Sequence, residues 1–214
     1  MAIPAQLSDT WDFLHREVIW LHGRWSMWNQ LYFKSELRVE ALNKVAPTFF
    51  ATLQNVLLDD VQLTLSRLAD PARTGRRENV TLETLAAEIE RLPEPHLAAD
   101  LRQDLSAFRS ACATIVTRRN RRIAHYDMSV QRGVEQLPGA SISEINEALE
   151  RLRLLMTRIY RFFMNSHMAY EMFVLHDDAN NIVRAVAEAL RYRELLDAGI
   201  IDSMDFHSSG KARI

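Results

Sequence analysis

Apolar residues recur at alternating spacings of three and four near the N-terminus, and this periodicity constrains the fold more than any other feature. The series is Trp11, Leu14, Val18, Leu21, Trp25, Trp28 and Tyr32. Such spacing places side chains on one face of an α-helix, so we predict one long helix over residues 9–45. The rings on that face indicate a wide, buried interface, either with the protein's own core or with a second copy of the chain. The core is the favoured interpretation.

The same periodicity predicts five further helices, with turn or capping residues between them. They begin near Pro47, Leu82, His96, Ser141 and Ala179. Asp70-Pro71 ends the helix from Pro47, DPARTGRREN follows as a loop, and Ser141 with Glu144 forms a capping box. The chain has only six glycines and six prolines and few strand-forming stretches. We therefore predict an all-α fold: a compact bundle of long helices in one domain over residues 1–200, followed by a polar, flexible tail over 201–214.

Charge and apolar content limit the classes of partner. The formal charge of −2 predicts no general attraction to nucleic acid or membranes, so such a partner requires a local patch. Neither a secretion leader nor an apolar membrane span is evident, which favours a cytoplasmic protein without membrane association. The single cysteine, Cys112, lies in the apolar run SACATIV, where a buried packing role is expected.

The most unusual stretch is TRRNRRIAHYD, residues 117–127. Between Arg109 and Arg132 there are six arginines and one acid, Asp127. Such a cluster repels itself unless an anion lies against it, and the planar fork of arginine matches phosphate well. The alternative is a solvated helix end whose cations interact with the helix dipole. Because the chain has 23 arginines and three lysines, charge alone does not decide between the two.

His125, which follows the cluster, favours chemistry on RNA. Imidazole takes and gives protons near neutral pH, so a histidine can deprotonate the ribose 2′-hydroxyl or protonate the leaving oxygen. Arginine then stabilises the charge that grows at the phosphorus centre, and no metal is required. The alternative for a histidine after a basic run is a surface or capping role.

Helix geometry leaves the partner of His125 open. In a continuous α-helix Arg119 and His125 would point about 120° apart, Arg118 and His125 about 20°, and Arg121 and His125 about 40°. Either the helix breaks near Asn120, or the partner arginine comes from a second subunit, or a different arginine acts.

Arg119-Asn120, followed after four residues by His125, resembles the signature of the HEPN superfamily. The surrounding RLADPARTGRRENVTLETL and IAHYD are similar to its abortive-infection AbiU-like branch. The resemblance covers most of the chain. It implies a compact helical domain, often a homodimer, in which two motifs form one composite, metal-independent ribonuclease site. Many such proteins act in phage defence or as toxins, whereas others have lost activity and only bind RNA, nucleotides or proteins.

The resemblance implies that Arg119, Asn120 and His125 are catalytic. We predict further phosphate contacts from the other arginines of the region, namely Arg118, Arg121, Arg122, Arg109 and Arg132. Asp127 either orients His125 or caps the next turn, and Tyr126 either stacks on a base or packs in the core or dimer. No cofactor is expected, and no metal site, because His167, His176, Asp177 and Asp178 lack the spacing that places two ligands on one helical face.

Three functional hypotheses follow. The first is a HEPN-type endoribonuclease that cuts RNA as a homodimer, acts as a phage-defence effector or toxin, and is restrained by an antitoxin or other neutralising protein. The second is an inactive module that binds RNA, a nucleotide or a protein partner, and whose RNA binding weakens with salt. The third is a purely structural helical bundle, in which substitution of His125 would affect stability alone.

Overall fold

Helices make up nearly all of the secondary structure in this computed structural model, which describes residues 2–123, 128, 132, 140–172 and 178–202. The predicted all-α fold class is confirmed. The α-helices in these ranges are α1 (Ser8–Trp28), α2 (Glu36–Val45), α3 (Pro47–Ala69), α4 (Leu82–Ile89), α5 (Pro95–Ala111), α6 (Ala113–Arg118), α7 (Ile142–Met164) and α8 (Ala179–Asp197).

Shorter elements lie between and after these helices. Single 3₁₀ turns occupy Ala5–Leu7 and Tyr170–Met172, and π-helical turns follow α1 at Asn29–Phe33 and α6 at Arg119–Ile123. Two strands of two residues, β1 (Arg73–Thr74) and β2 (Arg77–Glu78), pair antiparallel. The segment predicted as a plain loop therefore contains a small hairpin.

The described residues group into two compact units. One lies within Met1–Trp25 and Leu57–Val174, where α5 packs along α7; the other lies within Ser26–Val56 and Leu175–Ile214, where α2 packs against α8. In the second unit, Arg38 Nη1 donates to Asn180 Oδ1 at 2.9 Å. That one domain spans residues 1–200 stays a prediction, and the tail beyond residue 202 lies outside the described residues.

The prediction of one helix over 9–45 is wrong. Regular α-helix ends at Trp28, a π turn follows, and the backbone becomes extended at Ser35 (φ −166°, ψ 137°) before α2 begins. Tyr32 Oη donates to the Phe50 carbonyl at 2.9 Å and Trp28 Nε1 to the Gln54 carbonyl at 3.2 Å. These hydrogen bonds to α3 hold the two aromatic side chains in place. The spacing of apolar residues does not predict such bonds.

The other predicted helix starts agree with the structure to within about one residue, but the run that begins near His96 divides at Cys112 into α5 and α6. α3 spans the predicted residues 47–69, and the capping box of Ser141 and Glu144 is present at the start of α7. Asp178 caps α8 by accepting a hydrogen bond from the Asn180 amide at 2.9 Å. The aromatic seam of α1 is buried from Trp11 to Trp28, as expected for core. None of the described helices is long and apolar enough to cross a membrane.

Candidate functional site

The arginine cluster lies where α6 ends. Cys112 interrupts the helical run between α5 and α6 (φ −85°, ψ −3°), and the chain then forms one short α-helix up to Arg118. From Arg119 to Ile123 the backbone is π-helical, a distortion that is frequent at functional sites. The α-helical angle of 100° per residue therefore does not apply across this turn. The helix thus changes from α to π near Asn120. The three alternatives for the partner of His125 all stay open, because His125 lies outside the described residues.

Arg119, the predicted catalytic arginine, is held by Asp70. Arg119 Nη2 donates to Asp70 Oδ1 at 2.6 Å and Nη1 donates to Oδ2 at 3.2 Å. The two side chains are only 18% and 27% exposed. Because both terminal nitrogens bind one carboxylate, the guanidinium is fixed in direction as well as in place.

Asp70 is itself fixed through its backbone by Arg109. α3 ends at Ala69, where the last carbonyls of a helix lack helical partners. Arg109 Nε donates to the Ala69 carbonyl at 2.9 Å, and its Nη2 donates to the Asp70 carbonyl at 3.2 Å and to Glu83. Arg109, predicted to bind phosphate, thus already contacts three protein acceptors.

Glu83 completes this support. Its carboxylate accepts the Arg109 bond and, at 3.3 Å, a bond from the Ala72 amide two residues past Asp70. The Arg109 hydrogen bond is the main reason that the pKa of Glu83 lies below its ordinary value. A continuous set of contacts therefore runs from Glu83 through Arg109 to Asp70 and on to Arg119.

A second carboxylate offsets Arg118. The Nη2 atom of Arg118 lies 3.9 Å from Asp59 Oδ1, and the arginine side chain is 12% exposed. With Asp70 beside Arg119, two carboxylates balance two motif cations. The anion that the cluster requires is therefore supplied in part by the protein itself.

The other predicted site residues fall into two groups. Asn120 is exposed, Arg121 is partly buried, and Arg132 is exposed with its amide donating to the Met128 carbonyl at 3.0 Å. The side chain of Arg122 and all of His125, Tyr126 and Asp127 lie outside the described residues. The convergence of His125 on Arg119 stays a prediction.

Three acidic residues beside the arginines were not predicted as site residues from the sequence: Asp59, Asp70 and Glu83. Asp70 was predicted only to end the helix that begins near Pro47, because it precedes Pro71. Its pairing joins positions 49 residues apart, which no local pattern records. The sequence feature that pointed to these carboxylates was the mutual repulsion of the clustered arginines, which requires a nearby anion.

Other polar residues of this unit have packing roles. His15 Nδ1 lies 2.8 Å from Tyr170 Oη, and Tyr170 is fully buried. Burial lowers the pKa of His22 to about 4, so this ring is neutral at physiological pH. Cys112 is buried as predicted, and burial raises the pKa of its thiol to about 12, which makes it a poor nucleophile. Among the described residues, no three His, Cys, Asp or Glu side chains converge as metal ligands.

Comparison with known proteins identifies one family. The HEPN_AbiU2 family model, described as AbiU2, matches residues 5–182. The matched range includes the hairpin segment, the Asp70 contact and the whole arginine and histidine motif. Neither curated proteins nor solved structures gave a match.

Proposed function

Because the chain belongs to the AbiU2 family of HEPN domains, we propose that it is a metal-independent endoribonuclease with a composite active site between two copies of the chain. The main support is the placement of Arg119, which both oxygens of Asp70 orient at the start of the π turn. The proposed biological role is that of a cytoplasmic phage-defence effector or toxin in abortive infection. An antitoxin or another neutralising protein would restrain it.

In the proposed reaction, the 2′-hydroxyl oxygen of a ribose attacks the adjacent phosphorus, and the bond from phosphorus to the 5′-oxygen of the next nucleotide breaks. His125 takes the proton from the hydroxyl or gives one to the leaving oxygen. Arg119 donates hydrogen bonds to the phosphate oxygens on which negative charge grows, and Asn120 positions one of these groups. The products carry a 2′,3′-cyclic phosphate and a 5′-hydroxyl.

Asp70 acts in this proposal as a positioning residue for Arg119. Each terminal nitrogen of a guanidinium has two hydrogens, so one hydrogen on each remains after Asp70 is bound. An arginine that is already oriented does not reorganise as charge develops, which favours the transition state. Because Asp70 offsets its charge, Arg119 adds little to RNA affinity in the ground state and acts mainly on the rate.

Charge compensation also supports the proposed dimer. A composite site brings two arginine-rich turns together, and uncompensated they would repel each other. Asp59 and Asp70 lower the net charge of each turn, so less repulsion opposes the dimer. Under this proposal, sedimentation at micromolar concentration should find a dimer; an exclusively monomeric protein would contradict the composite site.

One observation favours the second hypothesis, an inactive module that binds RNA, a nucleotide or a protein partner. Arg118 and Arg119 are both mostly buried beside carboxylates, as arginines with a structural role would be. Such a module would bind RNA without producing cyclic phosphate ends. The two functions therefore differ in product and not in affinity.

The deciding experiment is cleavage of end-labelled total RNA and transfer RNA in excess EDTA. The wild type is compared with His125→Ala, with Arg119→Ala and with Arg184→Ala, which removes an exposed arginine of α8. We expect the wild type and Arg184→Ala to leave 2′,3′-cyclic phosphate ends, His125→Ala to be inactive, and Arg119→Ala to cleave far more slowly than the wild type. A folded, dimeric wild type that cleaves neither substrate would contradict the proposal and favour the binding module.

A further inference from the structure

The hairpin between α3 and α4 presents two exposed arginines, Arg76 and Arg77. Residues 71–80 contain Arg73, Arg76 and Arg77 against a single acid, Glu78. Arg73 pairs with Glu78 across the strands at 3.1 Å. Arg76 and Arg77 are exposed, and neither has a carboxylate within ion-pair distance among the residues that the structure describes.

The base of the hairpin is fixed on both sides. The Asn79 amide donates to the Ala72 carbonyl at 2.8 Å, and the Asn79 side chain donates to the Pro71 carbonyl at 3.0 Å and to Thr74 Oγ1 at 2.8 Å. The Ala72 amide donates to Glu83. Because this backbone is already ordered, binding through the tip loses little conformational entropy.

The tip is close to the proposed active site. Arg76 is six residues beyond Asp70, and an extended chain spans at most about 3.5 Å per residue. The Cα atom of Arg76 therefore lies within about 21 Å of that of Asp70, a separation that a few nucleotides of RNA can bridge. Glu83 connects the two regions, since it binds both Arg109 and Ala72.

Charge compensation at Arg118 and Arg119 favours an additional source of RNA affinity outside this pair. The chain has a formal charge of −2, and Asp59 and Asp70 offset Arg118 and Arg119. Phosphate binding depends largely on unneutralised Lys and Arg that displace counterions. Exposed arginines with unoccupied planar forks, such as Arg76 and Arg77, are suited to this task.

We propose that Arg76 and Arg77 form a phosphate-binding arm that holds the RNA strand next to the cleaved bond. The inference rests on the proposed ribonuclease function and assigns affinity to the hairpin, whereas Arg119 serves the reaction itself. Arg76 and Arg77 contact backbone phosphates, so the arm adds affinity without base preference.

The test measures binding of a short single-stranded RNA, fully methylated at its 2′-oxygens, to the full-length wild type in EDTA. Methylation blocks the attacking hydroxyl, so binding is observed without cleavage. Fluorescence anisotropy is recorded at several salt concentrations for wild type, Arg76→Gln/Arg77→Gln and Arg76→Lys/Arg77→Lys. The matched control is Arg184→Gln/Arg193→Gln, which removes two exposed positive charges from α8.

Loss of two phosphate contacts should reduce the slope of log affinity against log salt by about 1.4 and weaken binding roughly 10- to 30-fold at about 0.1 M salt. The lysine variant should keep most of the slope, and the α8 control should match the wild type. If the wild type binds RNA and the glutamine variant binds it equally well, the phosphate-binding role of the hairpin is contradicted, but the ribonuclease proposal is not. That result would favour an acidic protein as the hairpin's partner. A wild type that neither binds nor cleaves RNA would overturn the ribonuclease proposal as well.

Discussion

Two arginine-bearing regions of one unit differ in how their charges are used. At the end of α6, Arg118 and Arg119 are 12% and 18% exposed and lie beside carboxylates. At the hairpin, Arg76 and Arg77 are exposed and unpaired within the described part of the chain. In the sequence the first region shows the denser positive charge. In the folded protein it is the hairpin pair, Arg76 and Arg77, that has no carboxylate within ion-pair distance among the described residues.

This difference in pairing indicates two separate functions for the arginines, namely stabilisation of the transition state and binding of RNA. A paired, oriented guanidinium acts through geometry, at a transition state whose charge grows where its hydrogens point. An exposed, unpaired guanidinium acts through its field and through counterion release, both of which weaken with salt. Substitutions in the first region should therefore change the rate of cleavage, and substitutions in the second should change RNA affinity.

The largest effect is expected from Arg119→Ala. Removing one preorganised donor at a site of developing charge typically costs about 10²- to 10³-fold in rate, and we expect that loss in single-turnover cleavage with near-normal RNA affinity. Arg119→Lys should recover little, because an ammonium group lacks the planar fork that Asp70 binds. A large loss of RNA affinity with an unchanged cleavage rate would show that Arg119 serves RNA binding, as proposed for the hairpin arginines, and not the reaction.

A smaller loss is expected from Asp70→Asn, which retains the shape of the side chain but removes its charge. Loss of a supporting partner typically costs about 10- to 100-fold in activity, and RNA affinity should stay the same or rise, since Arg119 is no longer offset. Asp59→Asn is the matched control, because Asp59 lies 3.9 Å from Arg118; we expect less than about a threefold change there. Equal effects of the two substitutions would show that charge, and not orientation, is what Asp70 supplies.

Glu83→Gln should affect both regions, because Glu83 binds both Arg109 and the hairpin base. We expect a loss of about 1 kcal/mol in the free energy of unfolding at neutral pH. The pKa of Glu83 is lowered in the folded protein from its ordinary 4.5, so its contribution is complete above that value and disappears as the pH falls through the lowered pKa.

Urea unfolding of wild type and Glu83→Gln over a pH series measures this effect, with Glu40→Gln, an exposed position of α2, as the control. The stability difference between wild type and Glu83→Gln should shrink only below about pH 4.5. A difference that persists under more acidic conditions would mean that the glutamate carboxylate does not hold Arg109.

The smallest effect is expected from Gly75→Ala at the hairpin turn. Gly75 has φ +61°, and no heavy atom lies within 4 Å of an added Cβ, so only backbone strain of about 1 kcal/mol opposes the substitution. We expect a two- to fivefold loss of RNA affinity and no change in the single-turnover rate. Gly199→Ala provides the control, since Gly199 has φ +67° and equal space but lies outside the hairpin.

Much of the fold follows from local patterns. Pro47 and Asp70-Pro71 bound α3 as predicted, and Ser141 with Glu144 starts α7. The first helix shows where such patterns fail. Its apolar spacing continues through the π turn without a glycine or proline, and only Ser35 followed by Glu36 resembles a new helix start.

The site was less predictable because its contacts are long-range. Arginines and a histidine close together in sequence indicate possible chemistry, but not which cations the fold neutralises. Asp70 and Arg119 are 49 residues apart, and Glu83 joins them only through Arg109. Pairing of this kind depends on how α3, α4 and α5 pack, which helical periodicity does not specify.

The most direct test of the account is the steady-state kinetics of RNA cleavage in EDTA for wild type, Asp70→Asn and Arg76→Gln/Arg77→Gln. We expect Asp70→Asn to lower kcat with little change in KM, and the hairpin variant to raise KM with little change in kcat. If both variants change the same parameter in the same direction, or if the wild type does not cleave RNA, the division between a catalytic and a binding group of arginines is contradicted.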